Sequence, residues 1–259
     1  MNADPEMKRH SRAKVRAWKS AATKIGCGAA MLALIAVSAL TATPQTTHHV
    51  AHRSPATTSI SAPVKVYGTK GAPITIELFT DYECPICRSF YEQTLRSLIN
   101  EYVSAGKVYI IHHDFPLAMH PYSGQAARWA NAAATVGEFG SAEGALYDNQ
   151  DAWAANGNIA PFIAQAMPRS DFEKVEAIMK DCTTPAPQVT QADVDPLAKS
   201  GHSCPVDPYI AQDIELGYKD GVDATPTYII YHNGQKITQG SSFVSWPILR
   251  QFLDSILQQ

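Results

Sequence analysis

The sequence predicts an α/β fold in which a β-α-β unit and a closing β-hairpin are separated by a long helical insertion. Three observations predict it. An alternating apolar run ends in "FTDYECPICRSF", Phe79–Phe90, where apolar gaps of three and four residues begin. A second apolar run, "KVYIIHHDF", follows after about five helical turns. Roughly 110 residues then pass before "TYIIYHNGQKITQG" presents a hairpin signature, whereas a crossover needs only about a dozen.

Each element has its own reason. "PITIELF", Pro73–Phe79, alternates and is β-branched, as a strand should be. Cys87, Phe90, Tyr91, Leu95, Leu98, Ile99 and Tyr102 then form one buried helical stripe. Gly106 ends that helix, and Val108, Ile110 and Ile111 sit at the heart of the next strand, which a crossover makes parallel to the first. The long gap must carry structure of its own, because structureless loops of that length are rare. "GQAARWANAAATVGEFGSAEGALYDNQDAW", "IAPFIAQAM" and "DFEKVEAIMKDC" are rich in alanine or free of β-branched runs, and read as helices. The stretch between Cys182 and Cys204 carries three prolines and reads as an exposed loop. A last helix, about Pro205–Tyr218, leads back to the hairpin Thr227–His232, Asn233-Gly234, Gln235–Gly240. Ile248, Leu249, Phe252, Leu253 and Ile256 give the terminal helix an apolar face, with Ser245 as N-cap.

The 259 residues are 45% hydrophobic and 17% charged, enough apolar content for a sizeable core. The net charge of -3 hides an asymmetry. Lys8, Arg9, Arg12, Lys14, Arg16, Lys19 and Lys24 face only Asp4 and Glu6, so the first 24 residues carry +5 and the rest -8. An acidic body argues against a nucleic-acid partner. The uncharged stretch Ile25–Ala42 would make a helix of roughly 27 Å, just short of a hydrocarbon core. Basic-then-apolar order keeps residues 1–24 cytoplasmic and carries the rest to the extracytoplasmic, periplasmic side. Residues 25–42 read as a membrane anchor or, with Val37-Ser38-Ala39 as a small-residue end, as a cleaved signal peptide. The long basic head and near-spanning length favour the anchor. Residues 43–63, rich in Thr, Ser, Pro and His, read as a flexible linker to a folded domain at 64–259, with the helical insertion at about 118–203.

Disulfides persist in that compartment. Cys27 falls in the apolar segment, which leaves Cys84, Cys87, Cys182 and Cys204. Cys84-Pro85-Ile86-Cys87 lies where a strand ends and a helix starts, and free N–H groups there favour a thiolate. Cys84, at the open end of the helix, is the expected nucleophile. Cys87, one turn in on the buried stripe, is the expected resolving thiol. Pro85 and Ile86 between them tune the potential. A zinc site would need Cys182 and Cys204, or stray histidines, as a second pair of ligands. A permanently closed structural disulfide is the other rival. The strand-then-helix setting favours the redox reading, which needs no metal and no organic cofactor. Asp81 and Glu83 oppose ionisation of Cys84, yet its pKa should lie below the free value. Cys182 and Cys204 form a second, structural disulfide, worth roughly 3 kcal/mol for a loop of about 20 residues, or stay as two buried thiols. His112, His113 and His120 read as strand-end and loop residues. Trp129, Trp153 and Trp246 read as core or groove aromatics.

"GAPITIELFTDYECPICRSF", "VYIIHHDFPL" and "GVDATPTYIIYHNG" together resemble the DsbA-like thiol-disulfide oxidoreductases of the thioredoxin superfamily, over roughly Tyr67–Gln259. The resemblance implies a thioredoxin fold with an inserted all-helical domain. It also implies a cis Thr225-Pro226 peptide beside the cysteines, and Thr225 and Pro226 as the edge on which substrate docks. Expected partners are exported proteins with cysteines, together with a membrane or soluble redox protein that resets the pair. One departure stands out: the buried acid such proteins often carry six residues before the nucleophile is Leu78 here. Glu77 lies one position earlier, on the opposite strand face. The rival from another class is a non-catalytic binding module that uses the Pro226 edge.

Overall fold

The computed structural model describes residues 61–189 and 204–258. The basic head, the apolar segment 25–42 and the linker as far as residue 60 lie outside the described residues. Among the described ones, no helix is long and apolar enough to cross a membrane.

Five strands form one mixed sheet in the order β1-β3-β2-β4-β5: β1 Val66–Tyr67, β2 Ile74–Thr80, β3 Val108–Asp114, β4 Thr227–His232 and β5 Gln235–Ser241. β2 runs parallel to β3, as the crossover requires, and antiparallel to β4. Ile76 stands opposite Ile110 on one side and Ile230 on the other, so three buried β-branched residues cross the sheet in one row. Asn233 and Gly234 both take positive φ, 49° and 80°, the backbone that a two-residue hairpin demands of its turn.

The helical run after Cys84 is less regular than its apolar spacing implied. Pro85–Phe90 is α1, Tyr91–Leu95 is π-helical, Arg96–Leu98 is a short α2, and Ile99–Val103 is π-helical again. Gaps of three and four suit either winding, so the wider turns left no trace in the pattern. The stripe itself is as expected: Cys87, Phe90, Tyr91, Leu95, Leu98 and Tyr102 are buried, with Ile99 half-buried.

Between β3 and β4 lie α3 Ser123–Ala134, α4 Phe139–Asp148, α5 Gln150–Ala154, α6 Ala160–Ala166, α7 Arg169–Lys180 and α8 Asp207–Lys219. Helix α3 is buried almost all round. Its alanines favour the helix and let α4, α7 and α8 approach on several sides. The terminal helix α9, Trp246–Leu257, buries Leu249, Leu253 and Ile256. Ile248 is 65% exposed, so the apolar face is narrower than the sequence implied, because a neighbour of Leu249 lies about 100° round the helix. Ser245 is the N-cap by backbone only. Its carbonyl accepts the Leu249 N–H at 3.0 Å, and its hydroxyl makes no capping bond.

Where the chain enters the domain, buried Lys65 pairs with Asp114 and with Asp213, the latter at 2.5 Å. Asp213 also accepts from the Asp114 N–H at 3.0 Å and lies 2.7 Å from His113 Nδ1, which joins the entry, β3 and α8.

Candidate active site

β2 ends at Thr80, residues 81–83 turn, and Cys84 caps α1 in an extended conformation with φ −73° and ψ 121°. Pro85 follows as the first helical residue, where its missing N–H costs no hydrogen bond. Gln150 of α5 clamps this turn, its Nε2 donating to the carbonyls of Tyr82 at 2.7 Å and Cys84 at 3.0 Å. Across from it the Thr225-Pro226 peptide is cis, and the Cys84 thiol lies 3.5 Å from the Thr225 carbonyl oxygen.

Cys84 and Cys87 are free thiols with opposite acidities. Cys84 is lowered from 9.0 to about 6. A hydrogen bond from the Cys87 thiol is the main cause, opposed by burial and aided by the N–H groups of Cys87 and Ile86. Cys87 is pushed well above its ordinary value by burial and by the neighbouring Cys84 sulfur. Cys84 keeps 6% of its surface and Cys87 1%. The first thiol is therefore less open than its place at a helix end implied, because the Thr225 backbone lies against it. Pro85 and Ile86 are exposed beside it.

The two acids expected to oppose ionisation are present but answered. Buried Asp81 accepts the N–H of Glu83 at 2.8 Å and of Leu117 at 2.9 Å, and its Oδ2 is 2.6 Å from His120 Nδ1. Glu83 accepts the Tyr122 N–H at 2.6 Å. One loop, Leu117 to Tyr122, thus supplies a partner to both carboxylates. Glu77 bonds instead to the Tyr231 hydroxyl at 3.0 Å, on β4, and Leu78 is 1% exposed in the core.

The other singled-out residues divide differently. His112 Nε2 lies 2.8 Å from Thr80 Oγ1 and 3.2 Å from the Tyr82 hydroxyl, and its Nδ1 lies 3.0 Å from buried Glu143. Trp153 is wholly buried and donates to the Leu146 carbonyl at 2.7 Å. Trp129 stacks on Phe172, and Trp246 donates to Glu101 at 3.0 Å.

Cys182 and Cys204 are bonded to each other at 2.05 Å. The two thiolates that a zinc site would borrow are therefore committed. Of the stretch expected to be an exposed loop, residues 190–203 lie outside the described residues, and 183–189 are irregular, with Thr183 and Pro185 exposed but the backbone held against the domain. Arg128 of α3 donates to the carbonyls of Thr184 at 2.7 Å and Pro185 at 3.0 Å. Val189 exchanges backbone bonds with Pro116 and Ala118, and Gln188 Nε2 donates to the His120 carbonyl at 2.7 Å. A Cβ on Gly124 would stand 2.5 Å from the Pro187 carbonyl oxygen, so this close passage needs glycine. The segment that follows Cys182 thus braces the loop beside the first cysteine pair. Asp81 with His120, Gln150 and Gln188 are the site neighbours that sequence reasoning missed. Their partners lie 39 to 68 residues away along the chain, and no local pattern marks them.

A pair of thiols thus stands at a helix start, facing a cis-proline turn on a five-stranded sheet. A thioredoxin family model (Thioredoxin_4) matches residues 61–247, and the chain belongs to that family. Among solved structures, it is similar to alpha-DsbA1 of Wolbachia pipientis, with 18% identity, TM-score 0.56, and 74% of this chain and 89% of that one covered. A thioredoxin-like oxidoreductase from Silicibacter pomeroyi DSS-3 gives 21% identity, TM-score 0.53, and coverages of 76% and 93%. BdbD from Bacillus subtilis gives 18%, 0.50, 77% and 98%. These likenesses concern the fold, which is that of DsbA-type proteins. A curated protein, Na(+)/H(+) antiporter NhaA 3 of Salinispora tropica, is 38% identical over 87 residues, 33% of this chain and 13% of that protein. The match thus spans about an eighth of that relative's length.

Proposed function

We propose that this protein is an extracytoplasmic thiol-disulfide oxidoreductase that exchanges disulfides with exported proteins through Cys84 and Cys87. The observation that carries the reading is the placement of the two thiols, Cys84 capping the helix start 3.5 Å from the Thr225 carbonyl of a cis peptide and Cys87 buried one turn inside, which lowers the first to about 6 and raises the second.

In the oxidising direction, a substrate thiolate attacks Cys84 Sγ of the closed pair. The Cys84–Cys87 bond breaks, and Cys87 leaves and takes up a proton. A second substrate thiolate then attacks the substrate sulfur of the mixed disulfide, releasing Cys84 as a thiolate and the substrate as a disulfide. Two electrons end on the cysteine pair, and a redox partner must remove them. Stabilising the Cys84 thiolate stabilises the reduced protein, which biases the pair toward accepting electrons. Thr225 and Pro226 form the edge on which the substrate backbone docks, and exposed Ile86 adds apolar contact beside the sulfur. The basic-then-apolar head supports placement on the periplasmic side, anchored through residues 25–42.

The test is oxidative refolding of a reduced disulfide protein in the presence of the wild type, Cys84→Ser and Cys87→Ser. The wild type should accelerate disulfide formation, Cys84→Ser should not, and Cys87→Ser should accumulate mixed disulfides. Full activity in Cys84→Ser would leave the binding-module reading in its place.

A further inference from the structure

The turn that carries the nucleophile is acidic, and a histidine stands opposite it. We propose that His120, held by Asp81 on the loop after β3, is the positive counter-charge of the Cys84 thiolate, a positioning residue that sets the redox poise of the pair. The inference rests on the reading of Cys84 as nucleophile and adds a residue from outside the CxxC segment.

The groups that face one another here come from four elements. Asp81, Glu83 and Cys84 come from the β2–α1 turn and Cys87 from α1. His120 comes from the Leu117–Tyr122 loop, and Tyr147 of α4 faces Cys87 from the insertion. Arg88, the nearest cation along α1, is committed to Glu92 at 2.9 Å and Asp151 at 2.7 Å. Among the described residues no lysine or arginine pairs with Asp81 or Glu83. Among the described residues, His120 is the basic group paired at this end, with Nδ1 2.6 Å from Asp81 Oδ2 and its side chain 19% exposed.

The charges are linked in both directions. The imidazole is raised above its ordinary 6.5, first by the hydrogen bond to Asp81, against burial, and then by the charges of Asp81, Cys84 and Glu83. If the Cys84 thiolate helps keep His120 protonated, the imidazolium must help keep Cys84 ionised by the same free energy. With Cys84 lowered to about 6, there is a pH window above that value in which thiolate and imidazolium coexist. As pH rises past the His120 value, the carboxylate of Asp81 loses its cation and the thiolate loses its support. Because Gln188 holds the His120 carbonyl, the backbone is fixed independently of the ring's charge.

The test follows Cys84 alkylation by iodoacetamide in reduced wild type and His120→Gln between about pH 4 and 9. Glutamine retains a donor for Asp81 but removes the charge. The wild-type midpoint should fall near 6, and that of His120→Gln about one unit higher, at an unchanged melting temperature. His120→Lys, which restores a cation, should return the midpoint toward the wild type. A His120→Gln midpoint within about 0.2 of a wild-type value near 6 overturns the inference. A wild-type midpoint near 9 instead sinks the functional reading itself, so the two failures are distinguishable. If His120→Gln does not fold, NMR titration of the wild-type ring decides. Its pKa should be higher in the reduced protein than in the oxidised one, and equal values overturn the inference.

Discussion

Four cysteines of one domain make two pairs with opposite fates, and the backbone around them explains the difference. Cys84 caps the amino end of a helix, where free N–H groups favour a charged sulfur, and its partner lies one turn inside. Cys182 follows the carboxyl end of α7, where the carbonyl dipoles oppose a thiolate, and its partner is 22 residues away. The first pair stands open as two thiols of different acidity, while the second is closed and joins segments far apart in sequence. Identical side chains therefore stand as free thiols in one place and as a staple in the other. The pairs still communicate, since the segment that leaves Cys182 braces the loop that neutralises the acids beside Cys84.

The sharpest way to break the comparison is to exchange the losses. Cys84→Ser should abolish disulfide exchange while leaving the fold intact. Replacing both Cys182 and Cys204 by Ser should leave most exchange activity and lower unfolding free energy by about 3 kcal/mol, a drop in urea midpoint of roughly 1.5 M. Exchange lost in the double variant at full stability would reverse the two roles.

A smaller effect probes the connection between the pairs. Gly124→Ala places a methyl group against the Pro187 carbonyl, so the brace must shift, at about 1–2 kcal/mol by urea denaturation. An unchanged midpoint would mean that residues 183–189 yield freely and brace nothing.

The smallest effect is a pH dependence with a defined sign. The native thiol of Cys84 is depressed below its unfolded value of about 9. Its stabilisation is therefore complete above pH 9 and lost as pH falls through about 6. Relative to Cys84→Ser, the reduced wild type should gain about 1 kcal/mol between pH 6 and 7, where Cys87 is protonated in both native and unfolded chains. A flat difference across that interval would remove the special acidity of the first pair.

How far these features could be read in the sequence depended on how local they are. β2, the Asn233-Gly234 hairpin and the buried stripe behind Cys84 follow from periods of two and of three to four residues, so they were legible. The two-residue β1 is too short to show a period, and the π-helical turns keep the same apolar spacing as an α-helix. Cys84 and Cys87 were visible because a strand, a CxxC and a helix are contiguous. The cis Thr225-Pro226 peptide beside Cys84 was legible only through the family resemblance, while the Asp81–His120 pair and the brace at Gln188 are products of the folded chain. Asp81 and Glu83, read one at a time, could only look like charges that oppose a thiolate. The loop that answers them lies more than thirty residues downstream.

The most direct measurement is thiolate absorbance of the reduced wild-type protein followed across pH. One sulfur should ionise with a midpoint near 6 while the other stays protonated well past 9. Two sulfurs ionising together near the ordinary cysteine value of about 9 would contradict the account.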